Sequence, residues 1–172
     1  MVDEKTEFMR VENIRAEALG EPGHRTFRIL VDGDAGSAMM WLEKEQLFQL
    51  AVAINQLHST LPELDRSRPI AEGGGGLGDR LEFKIGRLVL GHEGSRERLI
   101  IDAHDAELDE EEGEPTVRIW AERQQLARFA ADSLELCAAG RPLCPLCGSP
   151  MDPDGHACPR SNGHALQPIS DL

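Results

Sequence analysis

The chain has no tyrosine, and its aromatic residues are five phenylalanines and two tryptophans in 172 positions. A core built from it must therefore be filled by Leu, Ile, Val, Met and Ala, which the 40% hydrophobic content supports. Positive charge is also short. Eighteen Lys and Arg face 31 Asp and Glu, for a net charge of -13. That balance disfavours a nucleic-acid backbone or an anionic membrane surface, both of which reward clustered cations. No run approaches the ~18 apolar residues of a membrane span. The opening "MVDEKTEFMR" is acidic and has no apolar stretch of the signal-peptide kind. Cysteines number four, and three of them stand in metal-type spacing. That usage fits a reducing cytoplasm better than a disulfide framework.

What is present is a pattern that occurs twice. "WLEKEQLFQLAVAINQL" (Trp41–Leu57) lies over "WAERQQLARFAADSLEL" (Trp120–Leu136) at an offset of 79. It matches Trp41 to Trp120, Glu43 to Glu122, Gln46 to Gln125 and Leu47 to Leu126. Upstream, "IRAEALGEPGHRTFRI" (Ile14–Ile29) lies over "IGRLVLGHEGSRERLI" (Ile85–Ile100) at an offset of 71. The change of offset implies an eight-residue insertion, placed at the acidic "AELDEEEGEP" (Ala106–Pro115), which reads as a solvated hairpin loop. Self-similarity at a fixed period marks an internal duplication.

Each copy reads as three strands and a helix. In the first, "MRVENIRAEAL", "TFRILVDG" and "SAMMWLE" are strand candidates separated by Gly-rich turns. Leu47, Leu50, Ala51, Ile54 and Leu57 then fall on one helical stripe. In the second, "LEFKIGRLVL", "RERLIIDA" and "TVRIWA" precede a helix carrying Leu126, Phe129, Ala130 and Leu134. The expected fold is α+β. Two βββα repeats form a pseudo-twofold antiparallel sheet or partial barrel with two helices, followed by a small C-terminal zinc ribbon. The boundaries are 1–65 for the first repeat, 66–79 for a Gly-rich linker, 80–140 for the second repeat and 141–172 for the tail. Trp41 and Trp120 occupy equivalent strand-to-helix junctions, where they read as core side chains wedging helix against sheet. Cys137 reads as a buried core thiol.

The tail "CPLCGSPMDPDGHACPRSNGH" carries the chemistry. Cys144, Cys147 and Cys158 offer three thiolates, and a tetrahedral Zn²⁺ wants four N or S ligands. His156, two residues before Cys158, is the preferred fourth ligand, because alternate residues of an extended segment face one side. His164 is the alternative, reached if "PRSNG" turns back. Pro, Gly and Asp dominate this stretch, so a core of its own cannot order it. Structural zinc can, at ~10–16 kcal/mol in finger peptides. The site reads as structural and closed, with no catalytic residues.

Other motifs fall away. "DGDAGSAMMWLE" has acids in three places of a calcium loop but Ser37 where the sharp turn needs Gly, so it reads as a hairpin turn. "GGGGLGD" lacks the Lys of a phosphate loop. Asp102, His104 and Asp105 lie close together but have no nucleophile motif beside them.

The tail resembles the short zinc ribbons of ribosomal and RNA-associated proteins, although Ser161 and Asn162 stand near the place of their last cysteine. Together, the duplicated "W-[LA]-E-[KR]-x-Q-L" element and the "CPLCGxPxDPxGHxCPRxNG" tail resemble a family of uncharacterised bacterial conserved hypothetical proteins. That family implies no activity and no catalytic residues. The leading reading is a cytoplasmic, non-enzymatic zinc-binding adaptor with a protein partner, no nucleic acid and no membrane. The alternatives are an enzyme or small-molecule binder with a pocket between the repeats, and an RNA-associated zinc-ribbon protein.

Overall fold

A computed structural model describes residues 6–21, 23–62, 80–94, 97–108, 113–139, 144–148, 151 and 158. The expected linker 66–79, the acidic run Asp109–Glu112, and both candidate histidines, His156 and His164, lie outside the described residues.

The described elements run β1 (Thr6–Phe8), β2 (Val11–Leu19), β3 (Thr26–Gly33), β4 (Gly36–Leu42) and α1 (Lys44–Thr60). They continue with β5 (Arg80–His92), β6 (Arg98–Asp105), β7 (Val117–Glu122) and α2 (Arg123–Ala138). The fold is mixed α+β, with one seven-stranded sheet in the order β1-β7-β6-β5-β4-β3-β2 and two helices. β2–β3–β4 and β5–β6–β7 are each three hairpin-linked strands followed by a helix, and the short β1 precedes the first set.

The expectation of a purely antiparallel sheet needs correction. β1 pairs with β7 in parallel, and β4 pairs with β5 in parallel. For β4 and β5 the cause is that α1 lies between them, so the chain returns to the starting end of the sheet before β5 begins. The expected strand "MRVENIRAEAL" is also interrupted. β1 and β2 are separated by Met9 and Arg10 and lie at opposite ends of the strand order. The sheet therefore curls until its two ends are successive segments of one stretch of chain. β5 does the same work without a break, pairing with β4 through Arg80–Lys84 and with β6 through Ile85–His92.

The interruption is pinned from outside. The Arg10 N–H donates to Asp34 Oδ1 at 3.1 Å, and the Asp34 N–H donates to the Arg10 carbonyl at 3.1 Å. Arg98 Nη1 donates to the Met9 carbonyl at 3.0 Å. Gly33 makes this approach feasible, since a Cβ there would lie 2.3 Å from the Arg10 carbonyl oxygen. The adjoining β3–β4 hairpin has two loop residues and Gly36 at φ +103, the φ > 0 geometry that suits a tight turn.

One continuous core joins both halves. Alternation along the strands sends Phe27, Ile29 and Val31 of β3, and Leu99, Ile101 and Ala103 of β6, to the same face as Leu47, Ala51 and Ile54 of α1 and Leu126 and Ala130 of α2. The helices pack against each other and run antiparallel, since Arg123 opening α2 meets the end of α1 and Cys137 near the end of α2 meets Lys44 opening α1. The α1 N-terminus is fixed by the Glu43 N–H donating to Gln46 Oε1 at 2.8 Å. Among the described residues no helix is long and apolar enough to cross a membrane.

Strand pairing within each half gives a correspondence between the halves that differs from the sequence match. Ile29 pairs with Met40, and Ile101 pairs with Ile119. Matching Met40 to Ile119 at the helix-preserving offset of 79 therefore matches Ile29 to Ile101, an offset of 72 (29 to 101), not 71. Gly33 pairs with Val11 and Asp105 with Ile85, which sets Val11, not Ile14, against Ile85. The longer β6–β7 connection is then seven residues longer, the difference between 72 and 79. In this register the bulge between Val11 and Asn13 falls on the bulge between Ile85 and Arg87. Gln125 Nε2 donates to the Val11 carbonyl at 3.3 Å, as Gln46 Nε2 does to the Ile85 carbonyl at 3.4 Å. The sequence match was drawn to identical residues in the β2–β3 and β5–β6 turns, whose lengths differ.

Candidate metal centre

The tail supplies the one group of three or more His, Cys, Asp or Glu among the described residues whose ligand atoms converge. Cys144, Cys147 and Cys158 place their sulfurs within 4.8 Å of one another, and the Cys144 and Cys158 sulfurs lie 3.8 Å apart. Local chain geometry explains the first pair. The Gly148 N–H donates to the Cys144 carbonyl at 2.9 Å, and Gly148 has φ +73. That folds "CPLCG" into a tight turn that brings the two cysteines to one side. The glycine accepts the left-handed backbone that a side chain resists. Cys144 and Cys158 are buried, and Cys147 is half-buried.

These three sulfurs are close enough to hold a metal ion. Thiolates ~2.3 Å from a tetrahedral ion lie ~3.8 Å from one another, the separation of Cys144 from Cys158. All four cysteines are free of disulfides. Cys137 stays apart from the cluster, 5% exposed in the core with its thiol toward the Lys44 carbonyl at 3.9 Å.

The polar residues of β6 each have partners of their own. Asp102 is held by Arg118, with Nε to Oδ1 at 2.6 Å and Nη2 to Oδ2 at 2.7 Å. The hydrogen bonds from this bidentate pair raise the Arg118 pKa above its usual value. His104 is 5% exposed, with Nδ1 3.3 Å from Arg87 Nη2. Asp105 Oδ1 accepts from the Glu107 N–H at 2.9 Å, which caps a turn. In "DGDAGSAMMWLE" Ser37 donates to Asp32 Oδ1 at 2.6 Å across the β3–β4 hairpin.

The tryptophans contradict the core reading. Their neighbours Met40, Leu42, Ile119 and Ala121 point into the core, so alternation turns Trp41 and Trp120 to the opposite face, where both are half-buried. Trp41 Nε1 donates to Glu82 Oε1 at 2.8 Å, and Trp120 Nε1 to Glu7 Oε1 at 2.7 Å. The Arg28 guanidinium lies 5.4 Å from the Trp41 ring centre, and that of Arg98 lies 5.2 Å from Trp120. Arg28 Nε donates to Glu17 at 2.8 Å, and Arg98 Nη2 to Glu93 at 3.0 Å. The hydrogen bonds from Arg28, and then from Arg15, hold the Glu17 carboxyl below the usual range. The sequence reading missed this arrangement; the one signal for its Trp–Glu part is that "TEF" and "LEF" each place Glu before Phe at the start of a half.

A second arrangement escaped the sequence entirely. Arg123, 2% exposed, donates to the carbonyls of Pro62 at 2.6 Å and His58 at 3.1 Å. A cation from the start of α2 thus caps the end of α1. Arg25 Nη1 does the same for α2, meeting the Ala139 carbonyl at 3.1 Å. Burial, with Arg123 nearby, lowers the His58 pKa.

No curated protein matches the chain. A family model does match, over residues 6–158, a span that begins at β1 and ends at the third cysteine of the cluster. The model describes proteins of unknown function, DUF3090, and the chain belongs to that family.

Proposed function

We propose that this protein is a non-enzymatic, structural zinc-binding adaptor. Its C-terminal ribbon, 141–172, is ordered by one Zn²⁺ on Cys144, Cys147, Cys158 and a histidine. The observation that carries this is the 3.8 Å separation of the Cys144 and Cys158 sulfurs, with Cys147 within 4.8 Å of both. His156 is the preferred fourth ligand. The family match spans it and ends at Cys158, short of His164.

A closed Cys₃His site supplies folding free energy and leaves no position for substrate. Its role is to present a protein-binding surface, in the cytoplasm, on a body made by duplication of one βββα unit. The paired bulges, the paired Gln-to-carbonyl bonds and the two Trp–Glu bonds support that duplication. Chelation tests the division of labour. Removing zinc is expected to expose the tail to protease while the far-ultraviolet circular dichroism of the body is unchanged. Loss of the body signal together with the tail would contradict it.

One observation favours a second reading, a small-molecule binder. A cleft of about 350 Å³ lies between α1 of the first half and β5 of the second, lined by Leu50, Ala53, Leu88, Leu90, Gln46 and Gln49. This volume is at the low end of ligand sites. Chemical-shift changes confined to these residues on screening neutral, apolar fragments would support this reading, and a flat response would remove it.

A further inference from the structure

The three cysteines differ in access, and that difference gives the proposed zinc site a direction of attack. Cys144 is 6% exposed and Cys158 7% exposed, while Cys147, on the tight turn, is half-buried. Leu146 beside it is 51% exposed, so the turn faces solvent. Each sulfur lies within 4.8 Å of the other two. A sulfur oxidised at Cys147 therefore has a second thiol within reach after a short movement. Zinc-bound cysteine is held as thiolate, the form that peroxides attack.

We infer that the cluster is a peroxide-responsive switch in which Cys147 is oxidised first and a disulfide from it to Cys144 or Cys158 releases the ion. This rests on the zinc reading above. In the first step the Cys147 thiolate displaces hydroxide from hydrogen peroxide, which gives a sulfenic acid; sulfur is oxidised and peroxide reduced. In the second, a neighbouring thiolate attacks that sulfur. The S–S bond forms, the S–O bond breaks and a second hydroxide leaves. Two of three thiolate ligands are consumed, so Zn²⁺ departs hydrated and the ribbon loses what orders it. Cys137 takes no part, because it is buried in the core with its thiol against the Lys44 carbonyl.

The test uses the full-length chain as purified and has two readouts. Zinc release is followed with a chromophoric chelator during titration with hydrogen peroxide. In parallel, limiting N-ethylmaleimide and peptide mass spectrometry rank the cysteines. Release of one zinc per chain, with a disulfide containing Cys147 and return of zinc binding after thiol reduction, is expected. Cys147 should alkylate at least tenfold faster than Cys144, Cys158 or Cys137. Zinc retained under excess peroxide with all thiols intact would overturn the inference, as would Cys144, Cys158 or Cys137 reacting first. A chain that purifies without metal contradicts the zinc reading itself. In that case the ion-release part falls with it, and the alkylation order and the Cys147 disulfide still decide whether Cys147 is oxidised first.

Discussion

Trp41 and Glu82 meet across a parallel strand pair, with the indole N–H 2.8 Å from the carboxylate oxygen. Trp120 and Glu7 repeat the contact at 2.7 Å across the other parallel pair. Each tryptophan also carries an arginine over its ring. These contacts join the last strand of one half to the opening strand of the other, so they act on how the halves hold together. Trp41→Phe keeps a ring beneath Arg28 but loses the donor. It is expected to cost ~1.5 kcal/mol, the low end of the range for a hydrogen bond to a charged group. Urea unfolding of W41F, E82Q and the double variant checks this, since the two losses should be markedly non-additive.

Arg123→Ala is expected to be among the most damaging substitutions. It removes a buried cation and leaves the carbonyls of His58 and Pro62 at the end of α1 without that donor. A loss of ~3 kcal/mol follows from stripping several charge-assisted bonds at a buried site. Arg25→Ala removes one bond to Ala139 at the end of α2 and should cost ~1 kcal/mol. Thermal denaturation of the two variants ranks them, and equal losses would contradict the account.

Gly33→Ala tests the pinned break between β1 and β2. A Cβ at Gly33 would sit 2.3 Å from the Arg10 carbonyl oxygen and 3.1 Å from the Phe8 ring. The chain must then shift or lose the Arg10–Asp34 bonds, for ~2 kcal/mol or more. Gly91, where a Cβ meets nothing within 4 Å, is the control and should tolerate alanine. Midpoints in urea compare the two.

Acid should weaken the fold in two windows. The His58 pKa is lowered in the folded state by burial and then by Arg123. The unfolded chain therefore takes up that proton first, and stability falls as pH drops below the ordinary histidine value of ~6.5. Glu17 has the opposite chemistry and the same sign. Its pKa is lowered by the hydrogen bonds from Arg28 and Arg15. Its contribution is complete above the ordinary carboxyl range and is lost as pH falls through the folded value. Unfolding free energies from pH 7.5 to 5.5 check the first window, and His58→Gln should flatten the slope there.

Much of this architecture was legible because alternation and helical stripes are strong local signals. β3 was read to the residue at Thr26–Gly33, and Leu47, Leu50, Ala51 and Ile54 are buried as the stripe required. The closeness of Cys144 and Cys147 was legible because Cys-x2-Cys followed by Gly fixes its own turn. Strand direction was not, since parallel pairing depends on where the helices return the chain. The correspondence that strand pairing gives between the halves differs from the sequence match, which followed identical residues in the turns. Trp41 and Trp120 were assigned to the core as large side chains at strand-to-helix junctions, whereas alternation with the buried Met40 and Ile119 puts them on the other face. Arg123 gave no signal, because a buried arginine is recognised only by the carbonyls brought to it from another helix.

Metal analysis of the chain, purified without added zinc, addresses the central claim most directly. One zinc per chain is expected, with an X-ray absorption edge fitted by three sulfur ligands at ~2.3 Å and one nitrogen at ~2.0 Å. Cys144→Ser/Cys147→Ser should abolish it. A metal-free chain, or zinc retained at full occupancy in that double variant, would contradict the account.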